Sequence, residues 1–420
     1  MNRSAVKSTE SSPLCGRRAT KVLVVGQTPP PYFGQAVAIE QLVTRGLDDV
    51  QLIHVRMNFT SSFDEMGRFR ISKVLHMLSV VVQIIYHRFA DRVRVLYYPP
   101  AGSDRVPMYR DIFILFCTRW LFDKTIFHFH AGGVSELYDR LPPWQRWLFR
   151  RAYFGADAAI RISDLNPEDG RRLAAQREYV VPNGIVDPSP EWSNSPALAA
   201  EGRGLRMLFV GILSEAKGVM VLIEGCANLA ARGVPFELEL MGQWESEDFA
   251  ARAQSRIKEL GLAKQIRLLG VLTGERKYDA FRRANAFCFP THFQCETFGL
   301  VLLEAMAFGL PVVATRWRGI PSIVDEGQTG LLFEPRDFNA LADRLATLSG
   351  DAPLRERMGR AGRAKFEREF TFDRHASRMR NAILETAGVS VEESPERVDD
   401  RLHVAPIVNR SYELQLQSRQ

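Results

Sequence analysis

Two glutamates, Glu296 and Glu304, bracket a short apolar run, Glu296-Thr-Phe-Gly-Leu-Val-Leu-Leu-Glu304. The apolar pattern from Phe298 onward has helical spacing, stops at Gly309, and gives way to a strand that begins at Pro311. The backbone N–H groups of Thr297, Phe298, Gly299 and Leu300 are therefore predicted to open a helix. The first N–H groups of a helix have no partner within it, and with the positive end of its dipole they make a site for an anion. A nucleotide diphosphate fits such a site. Glu296 would lie just before the helix, beside a sugar, and Glu304 about two turns further in, where a carboxylate accepts from ribose hydroxyls. The plainer reading makes Glu296 a helix cap and Glu304 a solvated helical residue.

A cation to face that anion stands at Lys217, in Leu208-Phe-Val-Gly211-Ile-Leu-Ser-Glu-Ala-Lys217-Gly218. The segment reads as a strand ending at Gly211, a loop, and a helix over residues 218–231 that Lys217 introduces. An ammonium there stabilises a departing diphosphate; otherwise it is a surface lysine. His130 ends a predicted strand, residues 124–130, before Ala131-Gly132-Gly133, so its ring is expected to point into a cleft. His128 shares its strand face, and the alternative of a packed core histidine suits His128 better than His130. The loop after the first strand runs to Gly34-Gln35 and has no Gly-x-Gly-x-x-Gly, which argues against a nicotinamide-binding domain. Gln35 either hydrogen-bonds a sugar or begins a helix. Asn183-Gly184 is a common turn pair. The basic, aromatic stretch 143–154 repeats Trp144, Trp147, Leu148 and Arg151 at helical spacing. It either sets apolar and cationic groups on a bilayer surface or packs as an amphipathic helix on the first sheet.

Parallel strands must position these residues. Short apolar, β-branched runs are predicted as strands at 21–26, 51–57, 93–98, 124–130, 158–162 and 178–181, then at 206–211, 236–241, 265–269, 286–289, 311–314 and 330–333. Most are apolar throughout rather than alternating, as strands covered on both faces require, and helix-length segments separate them. The expected class is α/β, with two facing Rossmann-like doubly wound domains and a cleft between them. The predicted divisions are a disordered basic N-terminus at 1–18, a first domain at 19–185, a Pro/Ser/Asn-rich linker at 186–204, a second domain at 205–370, a closing helix at 371–387 returning to the first domain, and a polar tail at 388–420.

Of the 420 residues 46% are hydrophobic and 25% charged, the balance of a globular protein. The net charge of +6 is mild and not gathered into one basic block, so a nucleic-acid partner is not expected. Five scattered cysteines without a Cys-x-x-Cys pair, and residues 1–18 without an apolar signal core, suggest a reducing, cytoplasmic setting. The apolar runs near 74–85 and 112–122 are too short to span a bilayer. No Asp-x-Asp follows a strand to advertise a metal site.

The run Glu-Thr-Phe-Gly from Glu296, followed by Glu-Ala-Met-Ala-x-Gly-x-Pro-Val-Val-Ala-Thr from Glu304, resembles the Glu-x7-Glu region of the group-one (family four) retaining glycosyltransferases of the GT-B fold. The likeness covers roughly residues 20–387 and is strongest from Leu208 to Phe333. It implies retaining, metal-independent transfer of a sugar from a nucleotide diphosphate to a hydroxyl acceptor, with no cofactor. It further implies a first acceptor domain and a second donor domain. By that resemblance Glu296 contacts the donor sugar, the backbone at Thr297, Phe298, Gly299 and Leu300 holds phosphate, and Glu304 binds ribose. Gly211 and Lys217 belong to the donor loop, His130 touches the donor sugar, and Gly34 and Gln35 lie on the acceptor side. Asn183-Gly184 matches the Val-Pro-Asn-Gly signature before the interdomain crossing. The implied partners are a nucleotide sugar and a saccharide or lipid-linked acceptor, as in surface polysaccharide synthesis at the inner face of a membrane. Two departures stand out: Ile212 where many relatives carry arginine, and Gln35 where they carry a second glycine. They leave open an inactive nucleotide-sugar-binding scaffold as an alternative, and the fold would also serve a sugar-nucleotide epimerase.

Overall fold

In the computed structural model, which describes residues 19–30, 34–59, 71–192, 204–390 and 404–405, the strands gather into two sheets. The first holds β1 (Thr20–Gly26), β2 (Val50–Arg56), β3 (Val95–Tyr98), β4 (Lys124–Phe129), β5 (Ala158–Arg161) and β6 (Glu178–Val180), parallel in the order β6-β5-β4-β3-β1-β2. The second holds β7 (Leu205–Val210), β8 (Phe236–Met241), β9 (Ile266–Gly270), β10 (Ala286–Phe289), β11 (Val312–Thr315) and β12 (Gly330–Phe333), parallel in the order β9-β8-β7-β10-β11-β12. Each of the twelve strands read from the sequence is present to within about two residues.

Helices link the strands. In the first half these are α1 (Gly34–Arg45), α2 (Ile71–Ala90), α3 (Arg105–Thr118), α4 (Pro143–Tyr153) and the short α5 (Asp169–Arg172). The second half has α6 (Val219–Ala231), α7 (Glu247–Glu259), α8 (Gly274–Arg283), α9 (Leu300–Ala307), α10 (Ile320–Ile323), α11 (Phe338–Gly350) and α12 (Ala352–Lys365). A π-helical turn at Phe366–Phe370 leads into α13 (Phe372–Thr386).

The all-apolar strands are explained by coverage on both faces. Alternate residues of β1 feed different cores, Leu23 and Val25 one and Val22 and Val24 the other. In β7, Met207 and Phe209 divide from Leu208 and Val210 in the same way. Each such side chain, fully withdrawn from water, contributes about 1.5–3 kcal/mol before chain entropy is set against it. No face remains for polar residues, so alternation disappears.

The two halves are tied by two adjacent crossings. The chain leaves the first half at Ile185, whose N–H bonds Phe370 O at 3.0 Å, and returns at Phe372, whose N–H bonds Ile185 O at 2.7 Å. Gly184 admits this contact, because a Cβ there would lie 2.4 Å from Thr371 O. From α13, Met379, Ala382, Ile383 and Leu384 pack with Val22 and Val24 of the first sheet. The first part of the linker is held on the second half. Arg363 grips Asp187 through both guanidinium nitrogens at 2.6 and 2.9 Å, and Trp192 Nε1 donates to Phe308 O at 3.2 Å.

Residues 1–18 and 193–203 lie outside the described residues. Most of the polar tail does too, and within it one two-residue strand is described. Val404–Ala405 forms β13, antiparallel to β6, and adds a seventh strand to the first sheet. β6 is otherwise an edge with unpaired backbone groups, which any short extended segment can satisfy.

Candidate active site

Strand order reverses between β1 and β3 in one sheet and between β7 and β10 in the other. At such a reversal the flanking loops diverge and leave a crevice beyond the carboxyl ends of the strands. The loop from Gly211 to Lys217 follows β7, and the loop from Pro290 to Gly299 follows β10. They meet where His292 N–H bonds Ala216 O at 2.8 Å, and the Thr315 hydroxyl at the end of β11 holds the second loop by donating to Thr291 O at 2.5 Å.

Lys217 and Glu296 meet at the centre. The ammonium of Lys217 lies 2.5 Å from Glu296 Oε2, and both side chains are largely withdrawn from solvent. The same ammonium sits over the rings of Phe293 at 5.1 Å and Phe289 at 5.6 Å, so aromatic faces as well as the carboxylate hold it. Gly218, with φ of +79°, caps α6 directly behind it. The sequence alternative of a loose surface lysine is therefore not what the structure has.

The helix beyond Glu296 begins later than the sequence suggested. Gly299 is left-handed, φ +91°, and caps α9, whose first residue is Leu300. Leu302 N–H closes back on Gly299 O at 2.9 Å. Thr297 and Phe298 thus precede the helix instead of opening it. A left-handed residue inserted between them and Leu300 breaks the helical path, and only glycine takes that conformation without strain. The Thr297 hydroxyl donates to His130 O, a bond between the two halves of the chain, and the Phe298 side chain is buried beside Phe370. The helix-terminal amides are those at Leu300 and the residue after it.

Glu304 comes one turn into α9. Its Oε1 accepts from Lys277 Nζ of α8 at 2.6 Å, while Oε2 is buried without a protein partner. Across the opening, Gly34 faces Leu300: a Cβ at Gly34 would come 3.9 Å from Leu300 Cδ1. Gln35 is the second residue of α1 and half-buried, so of its two readings the helical one describes its backbone. Gly211 is backed by Gly242, where a Cβ would lie 1.7 Å from Gly211 O. Ile212 brings no cation.

His130 lies just past the end of β4, which stops at Phe129, and its N–H turns back to His128 O at 3.1 Å. Its ring lies 3.9 Å from that of His128, and neither of its ring nitrogens has a protein partner. His128 is the packed member of the pair: buried in the sheet, it shares a 2.5 Å hydrogen bond with the Tyr97 hydroxyl. A third histidine, His375 of α13, bonds Pro182 O through Nδ1 at 2.8 Å. Burial, with nearby His375, pushes His130 down to about 3; burial pushes His375 down to about 4 and His128 well below 6.5. All three rings are neutral at pH 7.

This trio makes stability acid-sensitive. Between pH 6.5 and about 4 the unfolded chain takes up protons at these histidines and the folded chain does not, so acidification favours unfolding. Each contributes a loss of about 1.4 kcal/mol per pH unit below 6.5, and none above it. Urea unfolding at pH 7 and pH 5 should show the fall, and in His375→Asn the slope of stability against pH should lessen by about one proton. An unchanged slope in that variant would contradict the assignment.

Three residues here had no sequence signal. Lys277 belongs to no motif, and only the packing of α8 brings it to Glu304. His375 arrives from the chain's far end. Asp169, buried, accepts from the N–H groups of Gly133 at 2.7 Å and Ser135 at 2.8 Å, and so fixes the loop that follows His130. Its short stretch, Pro167-Glu168-Asp169-Gly170, reads only as a turn.

The sequence profile described as "Glycosyl transferases group 1" matches residues 191–365. The Salmonella typhimurium protein WcaL, assigned to colanic acid biosynthesis as a glycosyltransferase, is 30% identical over 299 residues, 70% of this chain and 68% of that protein. The phosphatidyl-myo-inositol mannosyltransferase of Mycobacterium leprae is 31% identical over 252 residues, 60% of this chain and 62% of its own length. Among solved structures, the Anabaena protein Alr3699/HepE in complex with UDP superposes with a TM-score of 0.65 at 17% identity, covering 87% of this chain and all of that one. That likeness concerns the fold, two Rossmann-like domains. Identity at this level across two thirds of a relative, together with the profile match over the second domain, means that this chain is a glycosyltransferase belonging to the group 1 glycosyl transferases.

Proposed function

We propose that the chain transfers a sugar from a nucleotide diphosphate to a hydroxyl of a saccharide or lipid-linked acceptor, with retention of anomeric configuration. The Lys217–Glu296 pair beside the start of α9 carries this reading. In it the diphosphate lies against the amide-bearing end of α9 with Lys217 as its counter-ion. The ribose reaches Glu304, whose free oxygen is already desolvated and whose other oxygen is steadied by Lys277. The sugar sits between Glu296 and His130. The bond from C1 to the β-phosphate oxygen breaks, and the negative charge that stays on that oxygen is stabilised by Lys217 and the amides. The acceptor oxygen bonds C1 from the same face and gives its proton to the departing phosphate. Neutral His130 offers a hydrogen bond to the sugar rather than a charge. Preorganised cations and amides at the leaving group account for most of the acceleration.

The names of the relatives give the acceptor class its support: one is assigned to colanic acid biosynthesis, another is a phosphatidyl-myo-inositol mannosyltransferase, and a third, CapM of Staphylococcus aureus, is named for capsular polysaccharide biosynthesis. In this reading the amides and Lys217 take the place of a divalent cation. Screening uridine- and guanosine-diphosphate sugars by thermal shift in EDTA should therefore find at least one that stabilises the chain, by about 3 kcal/mol at a hundredfold excess over Kd. Glu304→Ala should lose that shift. Stabilisation by none of them, or only after a divalent cation is added, would overturn the proposal.

A further inference from the structure

Three neighbouring helices of the first half turn a band of large apolar side chains to solvent. On α2 these are Leu75, Leu78, Val82, Ile85 and Phe89, at alternating steps of three and four. The same spacing recurs along α3 and the turn after it, in Val106, Tyr109, Phe113, Phe116 and Trp120. On α4 it is Trp144 and Trp147. The three tryptophans are 61–71% exposed. Because α3 packs against both α2 and α4, the stripes lie side by side. The rings of Phe116 and Trp147 are 6.0 Å apart, and the Tyr109 hydroxyl donates to Gln145 at 2.9 Å. Thirteen of the nineteen exposed large hydrophobic residues among those described belong to this one face, counting Tyr86. Single exposed apolar residues are ordinary; a concentration of this kind marks an interaction surface.

The core does not require the stripe. The opposite sides of the same helices already bury Val80 and Ile84, Met108 and Leu115, and Phe149 and Tyr153. The two apolar runs too short to cross a membrane are thus helices that are apolar on both sides. Among the described residues no helix is long and apolar enough to cross one.

Charge points to the occupant. The three helices carry seven lysines and arginines, of which Arg105, Arg150 and Arg151 are exposed. Their single acid, Asp111, is fully buried and bound by the Tyr98 hydroxyl and the Ala101 N–H. No carboxylate on these helices faces solvent. Aromatic and aliphatic groups among arginines, without exposed acids, match the interface of an anionic bilayer, where tryptophan sits at headgroup depth and guanidinium meets phosphate. We propose that the outer face of α2, α3 and α4 docks the enzyme on the surface of an anionic lipid bilayer. The inference extends the reading of residues 143–154 to two further helices and stands independently of the donor site.

The test is flotation of the full chain with phosphatidylcholine vesicles, with and without about one part in three of phosphatidylglycerol. The chain should float with the anionic vesicles at low salt, and added NaCl should weaken the association. The triple variant Phe113→Ser, Trp120→Ser, Trp147→Ser should bind at least about tenfold less, with its unfolding temperature and its stabilisation by nucleotide sugars unchanged. Should it fold poorly, Arg105→Gln, Arg150→Gln, Arg151→Gln removes only exposed charges and should abolish the preference for anionic vesicles. Failure of the wild type to float, undiminished binding by the folded variants, or a dimer that the triple variant breaks without any lipid binding would each overturn the proposal. The last outcome would assign the face to a second copy of the chain. A lost nucleotide-sugar shift with normal flotation would instead strike at the donor-site reading.

Discussion

Lys217→Ala should lower kcat by about three orders of magnitude or more, with a far smaller effect on KM. The reason is where the charge develops. In the ground state the donor's diphosphate already carries its charge; as the bond to C1 breaks, one further negative charge appears on the leaving oxygen. An ammonium beside that oxygen stabilises the transition state more than the bound donor, and so acts on kcat. Lys217 is suited to this by its surroundings. It is held by a carboxylate and two aromatic faces, so little reorganisation is needed when the donor binds. Glu296→Gln should cost a comparable factor while preserving shape, because it removes the charge that fixes the ammonium and the strong acceptor for a sugar hydroxyl. The double variant should be little worse than either single one, since two groups acting as a unit are not additive. Steady-state kinetics with the donor found by thermal shift, alongside circular dichroism to verify folding, decides the matter. Turnover within about tenfold of wild type in either single variant would remove the pair from the mechanism.

A second large effect is expected on stability. Gly218→Ala should cost about 3 kcal/mol or more, whereas Gly233→Ala should cost about 1 kcal/mol. Both glycines are left-handed, at φ +79° and +69°. Around Gly233 nothing lies within 4 Å of a Cβ, so the substitution meets only the backbone penalty. At Gly218 the same Cβ would lie 2.1 Å from Pro290 O and 2.7 Å from its carbonyl carbon. Neither atom is the end of a flexible side chain, so the loops after β7 and β10 must part. That is also where Lys217 approaches Phe289, and the folded remainder of Gly218→Ala should bind donor poorly. Guanidinium unfolding of the two variants side by side measures the difference. Equal losses would mean that the close approach does not constrain the loops.

The residues of the candidate site divide by how they are specified. Glu296, Glu304, Lys217 and His130 were legible because each lies next to a local signal: a strand end, a glycine turn or a helix start. The exact start of α9 was not. Whether Thr297 is inside or outside that helix depends on Gly299 adopting a left-handed conformation, and Phe289 and Leu302, packed around that glycine, are met only in the folded chain. The sequence favoured His130 over His128 by its place at the strand end, but the contacts that separate the two rings were not legible. Two residues apart, they share a strand face, and the Tyr97 hydroxyl from the neighbouring strand separates the packed ring from the unpartnered one.

By itself the sequence determined the twelve strands, the burial of most of them on both faces and the division into two doubly wound sheets, because apolar periodicity and glycine and proline stops are properties of consecutive residues. The tertiary structure alone decided the pairings between distant segments: Lys277 with Glu304, the Thr297 hydroxyl with His130 O, Val404–Ala405 beside β6, and α13 against the first sheet. It also decided which side of α2 and α3 meets solvent. Both faces of those helices are apolar, and hydrophobicity drives burial without naming the neighbour, so only the finished packing leaves one side bare.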